Sequence, residues 1–223
     1  EYGISGEGVA DGPWAARTAV RRNIKYGADL IKTCSTGGVL SKGTKVGAPQ
    51  YTVEELTALV DEAHNRGLKV ASHAHGAEGI INALIAGADT IEHASFIDDE
   101  GIRLAIENDA ALSMDIYVTE YILGEGASAG ILEESLEKER MTGAIQRSNF
   151  RKAVEAGATI VYGTDAGVYP HGQNAKQLSR MTRFGMTPLQ ALQSATTVAA
   201  EVMGLGYEIG KIEAGYAADF VAV

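Results

Sequence analysis

The stretch Gly67-Leu68-Lys69-Val70-Ala71-Ser72-His73-Ala74-His75-Gly76 joins a glycine, a short apolar run and two histidines that end the run. Gly67 suits the position just past a helix, because glycine readily adopts the left-handed conformation in which many helices end. The apolar run is too short for a buried helix and is typical of a buried parallel strand. The stretch therefore predicts a helix that stops before Gly67 and a strand over residues 68–74.

The same arrangement of a glycine followed by a short apolar run recurs along the chain, at Gly27, Gly87 and Gly157. Together these patterns predict five strands, near residues 28–34, 68–74, 89–94, 110–117 and 158–164. Helical patterns lie between these strands, near residues 52–63, 80–85, 102–106 and 132–156, and one more follows the last strand, near residues 187–205. Strands that alternate with helices in this way indicate an α/β domain with a parallel sheet and right-handed crossovers.

The composition excludes several classes of function. The chain has 223 residues, with 19 basic and 29 acidic side chains and a net charge of −10, which argues against binding to nucleic-acid phosphates. A hydrophobic content of 45% argues against disorder, and no apolar run approaches the ~18 residues of a membrane span. Cys34 is the single cysteine, so no internal disulfide forms, and the sequence leaves a cytoplasmic and a periplasmic or secreted location equally open.

Two segments lie outside the alternating pattern. The densest run of charge, residues 133–140, is expected to form the solvated face of a helix. The tail, residues 206–223, is expected to turn into a strand that does not belong to the parallel sheet.

Polar side chains stand where the predicted strands end. They are Lys32, the pair His73 and His75, then His93, the pair Asp115 and Tyr117, and finally Asp165. Ligands of parallel α/β proteins bind at the carboxyl ends of strands, and strand residues two apart share a face. Each residue taken alone has an ordinary structural explanation, such as a hydrogen-bonded histidine, a solvated lysine or an aspartate in a turn. Four strands that end in Lys, His, His and Asp together favour a metal site, because imidazole and carboxylate bind zinc and similar ions.

The motifs that carry these residues resemble those of a known family. They are Ile31-Lys32-Thr33-Cys34, Ser72-His73-Ala74-His75-Gly76, Ile91-Glu92-His93-Ala94 and Gly163-Thr164-Asp165-Ala166-Gly167. In order and spacing the chain resembles the amidohydrolase superfamily of metal-dependent hydrolases, in particular its imidazolonepropionase-like branch with Xaa-Pro dipeptidases and related carboxypeptidases.

The resemblance implies a TIM-like (β/α)8 barrel of which the chain holds the last five βα units. Residues 1–205 would form this partial barrel, and residues 206–223 would return to a flanking β-sandwich. The family's first barrel strand ends in a His-x-His pair, and no such strand precedes Lys32. We therefore expect the chain to be a fragment of a longer hydrolase, and to be weakly active or inactive alone.

The resemblance also implies the site. Lys32 would carry a carbamate and, with His73, His93 and Asp165, would hold divalent metal, with Zn²⁺ expected and two ions in the longer protein. A metal-bound hydroxide would attack the amide bond of a small molecule or dipeptide, of the Xaa-Pro or carboxypeptidase type, while the catalytic Asp165 moves the proton.

Further residues are candidates for binding the substrate: His75, Tyr117 and His171. A homo-oligomer is expected, and neither nucleic acid nor membrane is expected as a partner.

Three other interpretations stay open at this point. The same scaffold supports cyclic-amide hydrolysis or deamination, and the chain could be a non-catalytic binding or scaffold remnant. Residues 38–45 come close to a phosphate-binding loop, but the order of Thr44 and Lys45 is reversed and no helix pattern follows directly.

Overall fold

The computed structural model describes residues 8–221, which fold around one parallel sheet. Its strands follow one another in chain order as β1 (Leu30–Cys34), β2 (Lys69–Ala74), β3 (Thr90–His93) and β4 (Ala111–Ser113). Each strand pairs in parallel with the next, so that Cys34 lies beside His73 and Ala74 beside His93. The predicted α/β class and parallel sheet are confirmed.

Helices connect and flank the strands. They are α1 (Pro13–Lys25), α2 (Val53–His64), α3 (Ala77–Ile85), α4 (Asp99–Glu107), α5 (Val118–Gly124), α6 (Glu133–Glu155), α7 (Lys176–Arg183), α8 (Pro188–Ser194) and α9 (Thr197–Val202). The helix predicted over residues 187–205 is two helices, because the backbone of Thr196 leaves the helical conformation with φ −129° and ψ −92°. The sequence predicts no helical range at α1, α5 or α7.

The last two predicted strands differ from the structure. The strand predicted over residues 110–117 ends at Ser113, since the chain turns at Met114 and enters α5. The strand predicted over residues 158–164 is reduced to one parallel bridge, between Ile160 and Leu112. Beyond that bridge the amide of Tyr162 donates to the carbonyl of Ser194. This amide therefore makes no hydrogen bond to a neighbouring strand.

The two faces of the sheet have different environments. Ile31, Val70 and Ile91 are buried on the face against which α2 and α3 pack. Lys32 and His73 alternate with these residues and point to the opposite, more open face. The polar strand-end residues of β1 and β2 therefore share one side of the sheet.

The charged run over residues 133–140 lies on α6, and it is only partly the solvated face that the sequence predicts. Glu133, Glu137 and Arg140 are exposed as expected, but Lys138 and Glu139 in the same run are buried. Glu139 lies beside Thr119 of α5, and Lys138 donates to the carbonyl of Ser41 in the loop after β1, so neither side chain faces bulk water. The charged run is therefore solvated on only part of its circumference.

The tail contains turns and bends, and no strand forms within residues 206–221. The expectation of a strand there is wrong for those residues, because no described strand lies beside them to complete a hydrogen-bonded ladder. The division into residues 1–205 and 206–223 stays a prediction, and residues 222–223 lie outside the described part. Among the described helices, none combines the length and the apolar character that crossing a membrane requires.

Candidate functional site

A cavity of about 270 Å³ lies at the carboxyl ends of the strands. All four residues predicted to bind metal line it, namely Lys32, His73, His93 and Asp165. His75 lines it as well, together with residues from the loops and from α6, which include Ser41, Ser95, Asp115, Glu139, Thr142 and Gln146. The strand-end residues that the sequence singles out, except Tyr117, therefore line one cavity.

Three imidazoles form the centre of the cavity wall. One ring nitrogen from each of His73, His75 and His93 lies within 4.8 Å of the others, and the ring centroids are 4.6 to 4.8 Å apart. A second group, with ligand atoms also within 4.8 Å of one another, joins His93 to the carboxylates of Asp115 and Asp165. Nitrogen and carboxylate oxygen in this number are donors that suit zinc and related divalent ions.

His93 reaches this cluster through an unusual backbone turn. Strand alternation would place its side chain on the helix-facing side with Ile91, away from His73. The backbone at His93 has φ 67°, and at Ala94 φ 46°, both in the left-handed region that costs a non-glycine residue about 1–2 kcal/mol. Asp165 shares the feature, with φ 50°. Strain of this kind collects at functional sites, where the surrounding structure holds it.

Asp115 and Gln146 fix the ring of His93. The Nδ1 of His93 lies 3.0 Å from Oδ1 of Asp115, and an ionised carboxylate can only accept, so Nδ1 carries the proton. The side-chain amide of Gln146, on α6, donates both to the same Asp115 oxygen and to the carbonyl of His93. With Nδ1 committed, the Nε2 lone pair of a neutral His93 is the one free to bind a ligand.

His75 is held in a similar way. Its Nδ1 lies 2.8 Å from the hydroxyl of Ser95, and its backbone amide donates to the hydroxyl of Thr36. The side-chain amide of Asn149, also on α6, donates to the carbonyl of Ser95. His75, predicted to touch the substrate, is thus a buried and anchored member of the imidazole cluster, and its predicted role stays a prediction.

The electrostatics keep two imidazoles neutral. Burial, and then the charge of His93, lower the pKa of His73 to about 3 and the pKa of His75 well below its usual value. Burial alone lowers the pKa of His93, but the Asp115 carboxylate outweighs it, so the net shift is upward. In turn, burial alone raises the pKa of Asp115, and His93 outweighs it and lowers that pKa to about 2. His73 and His75 therefore offer unprotonated nitrogens at neutral pH.

Asp165 has the opposite tendency. Burial, and then the negative charge of Asp115, raise the pKa of the Asp165 carboxyl. A carboxyl with a raised pKa, at the wall of a cavity, is suited to accept a proton and release it again.

Lys32 lines the cavity but is exposed. Among the described residues no carboxylate forms an ion pair with it, so its amine is available for reaction. The carbamate on Lys32 stays a prediction.

Two predicted substrate contacts lie off the cavity wall. Tyr117 is buried, and its hydroxyl donates to the side chain of Gln173 at 3.0 Å. His171 is exposed in a turn and does not line the cavity. Neither residue contacts the imidazole cluster in the described part, and their predicted roles in binding stay predictions.

The sequence interpretation missed cavity residues on α6. Glu139, Thr142 and Gln146 all line the cavity. Their spacing of three and four residues places them on one helix face, and this spacing is the sequence feature that could have identified them as a group. The charged residues around Glu139 favoured the interpretation of a solvated face instead.

Comparison with known proteins agrees with this geometry. The family model described as Amidohydrolase family matches residues 4–223. Ochratoxinase from Aspergillus niger is 35% identical over 217 residues, which are 96% of this chain and 45% of that protein. The chain thus spans about half the length of these curated relatives.

Solved structures give the same result. A crystal structure of a Xaa-Pro dipeptidase with methionine bound in its active site has a TM-score of 0.92 and 40% identity, covering 98% of this chain and 54% of that one. A prolidase complexed with N-methylphosphonate-L-proline has a TM-score of 0.87 and 32% identity, over 95% of this chain and 52% of the other. The predicted fold, part of an amidohydrolase-type (β/α) barrel, is confirmed. On the family match, the sequence identity and the shared fold, this chain belongs to the amidohydrolase family.

Proposed function

We propose that the protein is a metal-dependent hydrolase that cleaves the amide bond of a small substrate, with dipeptides, including those of the Xaa-Pro type, as the first candidates. The observation that carries the proposal is the cluster of three imidazoles and two carboxylates at one cavity. Two similar structures, a Xaa-Pro dipeptidase and a prolidase, support the substrate class.

The donor set fits a divalent ion. His73, His93 and Asp165 would hold it, with His75 in the same cluster and Lys32 as a further ligand once its amine carries a carbamate. An ion bound there would supply Lewis-acid polarisation of the substrate carbonyl and a lowered pKa for water.

The residues of the chain perform the remaining tasks. Asp115 and Gln146 hold the ring of His93, and Ser95 holds the ring of His75, so the imidazole nitrogens are positioned before the substrate arrives. A carboxyl oxygen of Asp165 accepts the proton of the attacking water and passes it to the departing amine, a transfer that its raised pKa favours.

The proposal is tested with the full-length protein. Metal content is measured by mass spectrometry, and hydrolysis is measured on a panel of Xaa-Pro and other dipeptides beside cyclic ureas and imidazolones. We expect stoichiometric divalent metal, and dipeptide hydrolysis that a chelator abolishes. A preference for the cyclic substrates would replace the dipeptidase proposal with cyclic-amide hydrolysis, and a metal-free, inactive protein would favour a binding role.

The variant His73→Asn removes one imidazole from the cluster. We expect bound metal to be largely lost and kcat/KM to fall about 10³-fold, because the bound ion contributes several kcal/mol to the transition state. His64→Asn is the matched control, since His64 is exposed and bonded to Asp89 away from the cavity. Equal metal content in the two variants would contradict the assignment of His73.

A further inference from the structure

One buried carboxyl of the cavity wall lacks an ion-pair partner among the described residues. Glu139 is only 4% exposed, and it lines the same cavity as the imidazole cluster. No Lys, Arg or His within residues 8–221 forms an ion pair with it. A buried carboxylate without a cation is costly, so its position calls for an explanation.

The cationic side chains near Glu139 on α6 form contacts with other residues. Lys138 pairs with Glu134 at 2.6 Å and donates to the carbonyl of Ser41. Arg147, two helical turns further along, donates to the carbonyl of Ile116. Neither can turn to Glu139 without giving up these contacts.

A glycine on the same helix leaves room for the carboxyl of Glu139. A Cβ atom at Gly143, one turn along α6, would lie 2.8 Å from Oε1 of Glu139 and 2.8 Å from Oγ1 of Thr119. Glycine at this position lets the carboxyl fold back along the helix beside the Thr119 hydroxyl, which partly offsets the effect of burial on the Glu139 pKa. Burial raises the pKa of Glu139 to about 7, which agrees with a carboxyl that lacks a cation.

The carboxyl is also separate from the candidate metal ligands. Glu139 does not belong to either group of side chains whose ligand atoms lie within 4.8 Å of one another. The cation that it would receive is therefore part of the organic substrate. The adjoining cavity wall is apolar, with Val118, Ile122 and Val168.

We propose that Glu139 receives the free α-ammonium group of a dipeptide substrate, and that the adjoining apolar wall receives the side chain of the same N-terminal residue. This inference rests on the proposed function and narrows it to dipeptides with a free amino terminus and an apolar first residue. An ammonium group donates up to three hydrogen bonds and supplies the charge that the carboxylate lacks.

The test uses two pairs of substrates that differ only in the ammonium group. Leucyl-proline is compared with 4-methylpentanoyl-proline, and leucyl-methionine with 4-methylpentanoyl-methionine, on the full-length metal-loaded protein. The measured quantity is the ratio of kcat/KM for the amine to kcat/KM for its desamino partner. In the wild-type protein we expect a ratio of at least about 30, and in Glu139→Gln a ratio about 10- to 100-fold lower, as for the loss of a charge-assisted hydrogen bond.

Glu137→Gln is the matched control, because Glu137 lies on the same helix and is exposed. Its ratio should equal that of the wild type, and Glu139→Asp should recover part of the preference. A wild-type ratio near one, or a Glu139→Gln ratio within twofold of the wild type, overturns the inference. Because the wild-type ratio needs no variant, the inference stays testable if Glu139→Gln does not fold.

Failure of the proposed function gives a different result. A wild-type protein that hydrolyses neither these four peptides nor the other dipeptides of the panel refutes the dipeptidase proposal. The inference is then judged by calorimetric dissociation constants of the intact leucyl-proline and 4-methylpentanoyl-proline. Binding at least about tenfold tighter for leucyl-proline, lost in Glu139→Gln, supports it, and equal binding refutes it.

Discussion

His93 shows how one residue of the site depends on others. Its left-handed backbone turns the ring toward His73, and Asp115 then fixes the ring through Nδ1. Asp115, which follows β4, and Gln146 on α6 thus determine which nitrogen of His93 is available to bind a ligand. The ligand and its supporting partners act as one unit.

Asp115→Asn tests this dependence. The amide can still accept from Nδ1, but the negative charge that favours this arrangement is lost, so we expect metal affinity to fall about 10- to 100-fold. The affinity is measured by competition with a chromophoric chelator.

Asp99→Asn serves as the control, since Asp99 is exposed in the first turn of α4. Unchanged affinity in Asp115→Asn would show that Asp115 does not position His93.

The sequence predicted some residues of the cavity and missed others. Lys32, His73, His93 and Asp165 could be found because residues at strand ends are brought together by the topology of a parallel sheet. Glu139 and Gln146 were missed, because their spacing shows that they share a helix face but not what that face contacts, which is decided by the packing of α6 against α5.

At the scale of elements, α2 is a helix whose first residue is determined by a local sequence motif. The Thr52 hydroxyl accepts from the amide of Glu55, and the Glu55 carboxylate accepts from the amide of Thr52, which together form a capping box. The other Glu55 oxygen accepts from the amide of Gly12 at 2.9 Å, just before α1. One glutamate therefore joins the starts of two packed helices.

Thr52→Ala removes the side-chain half of this cap. We expect the free energy of unfolding to fall by about 1 kcal/mol, the usual value for an N-cap threonine. Thr52→Ser, which keeps the hydroxyl, should stay close to the wild type, and both are measured by urea denaturation. A loss of equal size in both variants would attribute the effect to packing of the threonine methyl.

Strand ends were less predictable than helix starts. The apolar pattern continues to Tyr117, yet β4 stops at Ser113 because the chain turns there and enters α5. A strand needs a partner at every step, and the partner's extent is not encoded in the strand itself. Local capping, in contrast, is satisfied within four residues.

At the scale of the whole molecule, β1 is the edge of the described sheet. It pairs with β2 on one side only, and Leu30 on it is 52% exposed. An unpaired edge with an exposed apolar side chain favours association with other strands.

We expect the 223-residue chain, expressed alone, to self-associate with increasing concentration. Leu30→Lys should weaken this association, because a charge on an edge strand opposes pairing. Leu123→Lys, at an exposed position on α5, is the control for added charge. Sedimentation velocity measures both, and a wild-type chain that stays monomeric at high concentration would contradict the prediction.

Helix α6 has a consequence for engineering. Its side chains that face the cavity include Glu139, which we propose binds the substrate ammonium, and Gln146, which supports His93. Replacing this helix with that of a relative would therefore change two things together: the group that binds the substrate and the side chain that holds His93. A single inserted residue between the two would rotate one against the other by about 100°, and the two tasks would come apart.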